Sequence, residues 1–311
     1  MKILHICPAH IATGGTEGIH HLVSEMNKNE NIDAQILYVG TNLNHPQPEV
    51  YKKYDSPYVT TFPNEYDAVI FPEIYANEVI KTAYQNKITA VNWQGIDVYD
   101  WHTPIKERGL FLKNKNTIHI TMSEYGMEHL RNLGLNPIKI SDCINDDYLQ
   151  QFNEEFERND VVLYNPVEIK LTQFQKNIMR VCESRGIKFL PLTGYSQEQL
   201  INIFRHSKLY IDFGVFSGRE RLPREAVMCG CCILTSKSGT AGYYRDNAIL
   251  EKYKLDNVDE AIYTIDYILK NYAVCKSDFD EYRQLMYEDR KLYPKQVEEL
   301  CNAFLNYNSG L

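Results

Sequence analysis

Short apolar runs alternate with helix-period segments along nearly the whole chain, and no other feature limits the fold so tightly. The runs at 2–7 (KILHIC), 34–40 (AQILYVG), 66–71 (YDAVIF), 88–93 (ITAVNW) and 117–122 (TIHITM) read as buried strands. Amphipathic segments lie between several of them, such as 16–28. In 123–134, Met127, Leu130 and Leu133 lie three apart and Gly134 stops the helix. Such alternation predicts a parallel sheet covered by helices on both faces.

The polar, acidic stretch 141–160 carries no strand pattern and reads as a connection between domains. Alternation then resumes, with strands expected at 160–166, 187–192, 208–214 and 231–235 and helices at 172–185, 197–206 and 256–272. Two further helices close the chain, the last at 294–306, where Val297, Leu300, Cys301 and Phe304 form one apolar stripe. A chain of 311 residues is long enough for two cores. The expected fold is therefore α/β, with two tandem doubly wound, Rossmann-like domains facing a cleft. The first domain spans 1–145, the second 146–290, and a terminal helix at 291–311 packs back on the first. Sheets of this kind bind ligands outside the carboxyl ends of their strands.

Charge and cysteine usage exclude several classes. A net charge of −8 leaves no excess of cations to displace counterions from a nucleic acid. No segment approaches the ~18 consecutive apolar residues of a membrane span, and the start of the chain lacks a signal-peptide pattern. The eight cysteines are scattered, which suits a reducing compartment, so a cytoplasmic location is expected. Cys229 and Cys232 form a C-x-x-C with apolar neighbours and no second pair, and read as small buried residues rather than metal ligands. The D-x-D at Asp278 and Asp280 lies near a predicted helix start, where acids complement the dipole. Neither a metal nor any other cofactor is expected.

Two loops carry the chemistry. The first, CPAHIATGGTEG, leaves strand 2–7 and enters a helix. Gly14 and Gly15 allow backbone to approach a ligand, and the helix that follows offers N–H groups. Its G-G-x-x-G spacing departs from the dinucleotide fingerprint, and strand 34–40 ends at Gly40 without a ribose-binding acid, which argues against an NAD enzyme. A glycine-rich turn with no ligand is the plain alternative. The second loop, GRERLPREAVMCGCCIL, brings Arg219, Arg221 and Arg224 together at the positive end of a helix expected to begin near Pro223. Their planar forks suit phosphate oxygens. Lys170, just past strand 160–166, adds a fourth cation, and a diphosphate satisfies all four. Glu225 is then available to ribose hydroxyls, or it serves only the helix dipole.

At this point the sequence resembles a known family. The second half looks like the nucleotide-sugar-binding domain of GT-B-fold glycosyltransferases, in the retaining, family-4-like group. That group's signature runs Glu, seven residues, Glu, then Ala-x-x-x-Gly, and REAVMCGCCIL matches its end. The resemblance places Glu225 on the ribose-binding glutamate and Lys170 on a phosphate-binding lysine, although Lys-Leu replaces the usual Lys-Gly. GYSQEQLINIFRHSKLYIDFG is similar to the base-contact region, with Tyr195 near the base. Gly14-Gly15 and ITMSEYGMEHLRNLG also resemble the family, while SGRERLPREA resembles its bacterial polysaccharide and capsule members. The departure is Ser217, where the family's first glutamate faces the donor sugar; Glu220 can supply that carboxylate. In NWQGIDVYDWH, Asp97 and His102 are candidates for the first domain's catalytic group.

The resemblance implies transfer of a sugar from a UDP- or GDP-linked donor to a glycan or lipid-linked acceptor, with retention of configuration and no metal. Glu220 and Asp97 are the expected catalytic residues. Gly14, Gly15, Lys170, Tyr195, Arg219, Arg221 and Glu225 are the expected donor-binding residues. A lipid-linked acceptor would bring the protein into peripheral contact with a membrane. Two rivals stand: a nucleotide-sugar binder or partner subunit without turnover, which Ser217 favours, and a sugar-nucleotide epimerase of the same fold.

Overall fold

A computed structural model of the chain describes residues 1–41, 43–76, 87–98, 117–150, 156–167 and 171–307. The chain divides into two compact units, Met1–Asp142 with Arg290–Leu311, and Cys143–Asp289.

The first unit is built on β1 (Lys2–Pro8), β2 (Asp33–Val39), β3 (Tyr58–Val59), β4 (Ala68–Pro72), β5 (Ile88–Trp93), β6 (Thr117–Thr121) and β7 (Ile138–Lys139). They form one parallel sheet in the order β3-β2-β1-β4-β5-β6-β7. Every residue of β4 and β5 is buried, as a strand covered on both faces requires. Leu4, Ile6, Leu37, Val69, Phe71, Val91 and Trp93 form a core on one face. Helix α1 (Gly14–Met26) starts two residues before the predicted 16–28, because Thr13 caps it and Thr16 reciprocates. Helix α2 (Glu124–Asn132) follows β6, capped by Ser123. The connection after β1 leads to β2 on one side, while β4 leads to β5 on the other. The sheet therefore has a topological switch between β1 and β4.

The second unit begins with α3 (Asp146–Leu149) and continues through β8 (Asn159–Tyr164), α4 (Gln173–Ser184), β9 (Lys188–Pro191), α5 (Gln197–Arg205), β10 (Ser207–Asp212), α6 (Arg221–Met228), β11 (Cys232–Thr235), α7 (Val258–Lys270) and α8 (Tyr272–Cys275). Its four parallel strands run β11-β10-β8-β9, which puts the switch between β8 and β10. Val162, Leu163, Leu209, Ile211, Ile233 and Leu234 lie at the centre of its core.

Three expectations need correction. The stretch 141–160 is not a bare connection, since Ile144 and Tyr148 are buried in the second core. Helix α6 begins at Arg221 rather than Pro223, so Pro223 is its third residue. The last helix is α9 (Asp280–Tyr307), which passes through Pro294 without ending there. Pro294 removes one backbone donor, but the buried stripe Tyr282, Met286, Tyr293, Val297, Leu300 and Phe304 keeps a single period across it. Within the first unit, the Tyr293 ring stacks on His21 at 4.3 Å, and Gln296 Oε1 accepts from the Ser141 amide at 2.8 Å. All eight cysteines are free and buried, and burial pushes the Cys231 thiol up to about 12. Among the described residues, no helix is long and apolar enough to cross a membrane.

Candidate functional site

The switch between β8 and β10 directs attention to the loop after β10. Its backbone carbonyls are engaged one after another by protein donors. Ser236 Oγ donates to Gly214 O at 3.0 Å, the Thr240 amide to Phe216 O at 2.8 Å, and Thr240 Oγ1 to Gly218 O. Arg224 is fully buried and donates from Nη2 to Arg219 O at 2.6 Å and from Nε to Glu220 O at 3.0 Å. At the strand end, Asp212 Oδ1 accepts from the Gly214 amide at 3.0 Å and Gln175 Oε1 from the Phe213 amide at 3.2 Å. Tyr210 donates to Asp212 Oδ2 at 3.3 Å, and burial first, then Asp212, raises its phenol. A loop so fully paired to protein is held in one shape.

The three arginines have separate fates. Arg219 is buried and donates from Nη1 to Asp289 on α9. Burial works against its charge, but Asp289 and Asp246 outweigh burial and keep the guanidinium protonated. Its Nε and Nη2 are also buried, with no hydrogen-bond partner among the described residues. Arg224 holds loop carbonyls. Arg221, half-buried, is the first residue of α6. The sequence brought these side chains together by spacing alone. Only the partners Asp289 and the loop carbonyls distinguish them, and those lie elsewhere in the chain or in its backbone.

Helix α6, like the short α8, starts without a side-chain cap. Side chains cap α1, α2, α3, α4, α5 and α7, from Thr13, Ser123, Asn145, Thr172, Ser196 and Asn257. At α6 the capping residue is Glu220, and its side chain makes no capping bond. Pro223 carries no N–H, so the free-end amides of α6 that could face a ligand are those of Arg221 and Leu222. Glu225 is the fifth helical residue and is buried, beyond the first turn where an acid best serves the dipole. Ser217 is half-buried in the loop. Tyr195 is 36% exposed between β9 and α5, after Gly194 at φ +74°. Lys170 and His102 lie outside the described residues.

At the carboxyl edge of the first sheet, Gly14 and Gly15 open α1. The close neighbour of Gly15 is a side chain, Gln94, whose Nε2 donates to Gly15 O at 2.8 Å. Asp97 follows β5; its Oδ1 accepts from Tyr125 Oη at 3.2 Å, and its Oδ2 is buried without a partner among the described residues. Sequence reasoning passed over Glu73, directly after β4. It is 3% exposed and accepts from the Gln94 and Gly95 amides, each at 3.0 Å. A charged residue at the end of a wholly apolar strand was the available signal. No group of three or more His, Cys, Asp or Glu side chains that could hold a metal ion occurs among the described residues.

No protein-family model matches the sequence, and no curated protein matches it. Solved structures do. A glycosyltransferase from Rickettsia africae is similar with a TM-score of 0.69 at 15% identity, covering 98% of this chain and 98% of its own. The HepE protein of Anabaena, solved in complex with UDP-glucose, has a TM-score of 0.66 at 12% identity, covering 97% and 100%. A sucrose-phosphate synthase from Thermosynechococcus elongatus reaches 0.66 at 12%, covering 98% and 99%. These likenesses establish the fold, two parallel-sheet α/β units as in GT-B glycosyltransferases.

Proposed function

We propose that this chain is a glycosyltransferase that takes a sugar from a nucleoside-diphosphate donor and passes it to a glycan or lipid-linked acceptor. The observation that carries the reading is the start of α6. It is a helix N-terminus without a side-chain cap, placed at a topological switch, beside an arginine, on a loop held rigid from behind. An anionic diphosphate completes such a site. The fold supports the same reading, since its structural neighbours include glycosyltransferases and a protein solved with UDP-glucose.

In this mechanism the bond from the sugar's anomeric carbon to the diphosphate oxygen breaks, a bond to the acceptor oxygen forms on the same face, and the acceptor's proton passes to the leaving diphosphate. Negative charge develops on the leaving diphosphate. The α6 amides and Arg221 stabilise it, with Lys170 as a second cation, so most of the catalysis is electrostatic. Glu225 accepts from the ribose hydroxyls and Tyr195 lies by the base. Glu220 faces the donor sugar in the place that Ser217 leaves without a carboxylate, and Asp97 serves the acceptor side. The product keeps the donor's anomeric configuration.

Incubating the protein with UDP- and GDP-sugars and a panel of glycan and lipid-linked acceptors tests this. Sugar transfer with retained configuration, read by nuclear magnetic resonance, is the expected result. Binding without transfer or hydrolysis would favour the non-catalytic reading that Ser217 suggests. Conversion of the donor to its epimer would favour the epimerase.

A further inference from the structure

Glu73 occupies an unfavourable place for a carboxylate. Burial pushes it up to about 7, and the amides of Gln94 and Gly95 offset that only in part. A buried charge is seldom the cheapest way to stabilise a core, so its geometry calls for another account. Both oxygens are used, one on each of two successive amides immediately after β5. The side chain of the residue so held, Gln94, reaches in turn to the loop after β1. Its Nε2 binds Gly15 O, and its Oε1 lies 2.6 Å from where a Cβ on residue 15 would stand. A side chain at residue 15 would displace the Gln94 amide from this position. The relay crosses β4, β5 and β1, which are consecutive in the sheet, and spans the switch point.

We infer that Glu73 and Gln94 are positioning residues, which together fix the Gly14–Gly15 turn and the strand end carrying Asp97 in a single arrangement. It stands independently of the proposed function, because the relay lies wholly within the first unit. Neither side chain needs to touch a ligand. Glu73 orients Gln94 through its backbone, and Gln94 orients the first turn of α1 through one carbonyl.

The test uses the full chain and three variants: Gln94→Met, which keeps volume but removes the donor, Glu73→Gln, and Glu73→Asp. Hydrogen exchange at amides 16–19 is the diagnostic reading, because those amides do not contact Glu73. The relay predicts exchange at least tenfold faster there in both Gln94→Met and Glu73→Gln. It also predicts an unchanged Tm in Gln94→Met, and exchange in Glu73→Asp intermediate between Glu73→Gln and the parent. Unchanged exchange at 16–19 in Gln94→Met overturns the inference, as does faster exchange spread evenly over the whole chain with a lowered Tm. A parent chain that binds no nucleoside diphosphate would defeat the proposed function instead, and the exchange measurement still decides the relay.

Discussion

His5, His20 and His119 are buried in the first unit, and burial pushes each down to about 4 from an ordinary 6.5. Each is neutral and placed by a neighbour: Asn92 Nδ2 at 3.2 Å from His5 Nε2, Tyr38 Oη at 2.9 Å from His20 Nε2, and Trp93 Nε1 at 3.0 Å from His119 Nδ1. Between pH 6.5 and 4 the unfolded chain binds protons on these rings that the folded chain refuses, so their contribution to stability is lost as pH falls. Glu73 acts in the opposite sense. Its folded carboxyl titrates near 7 against an ordinary 4.5, so its contribution is present at low pH and is lost as pH rises through that window. Three groups against one leave a net uptake of roughly two protons on unfolding near pH 5.5, on the order of 2–3 kcal/mol per pH unit. Urea unfolding at pH 7, 6 and 5 should show falling stability on acidification, with a steeper slope in Glu73→Gln. A slope that is flat, or unchanged in the variant, would contradict this assignment.

At the scale of elements, one loop supports another. Gly239 takes φ +65°, and a Cβ there would collide with Phe216 O, the carbonyl that also receives the Thr240 amide. Gly239→Ala should therefore push residues 236–240 away from the loop after β10. Thermal unfolding should show a loss of more than ~1 kcal/mol, accompanied by loss of nucleotide binding; a variant with parental Tm and affinity would show that the brace does not matter. This dependence was not legible in SKSGTAG, because a positive φ leaves no periodic mark and Phe216 is 23 residues earlier in the chain. Periodicity did reveal β1, β2, β4, β5, β6 and β8–β11 to within a few residues, since strands covered on both faces are apolar throughout. It missed β3 and β7, which have two residues each and no period to detect. Pro294 misled for a related reason: a proline rule is local, and the buried stripe of α9 overrides it. At the candidate site, residue types were legible and side-chain directions were not. Arg219 and Arg221 stand two apart, yet one is buried against Asp289 and the other starts α6.

For the whole molecule, the chain completes one sheet, builds a second, and rejoins the first unit within a single helix, with Asp289 counted in the second unit and Arg290 in the first. Arg219 is paired with Asp289 and Arg224 with loop carbonyls, so of the three arginines the proposed diphosphate site depends on Arg221. The proposed function accordingly has the second unit bind a nucleoside diphosphate at Arg221 and Glu225. Calorimetric titration of UDP and GDP into the parent chain and into Arg221→Ala, Glu225→Gln and Arg219→Ala tests it most directly. Binding by the parent is expected, with a loss of about 1.5–3 kcal/mol in affinity in Arg221→Ala and Glu225→Gln, the range for charged hydrogen bonds, and little change in Tm. In Arg219→Ala the larger effect should be on folding, about 3–5 kcal/mol, because Asp289 is left buried without its partner. Parental affinity in both Arg221→Ala and Glu225→Gln, or no binding of either nucleotide by the parent, would contradict the claim.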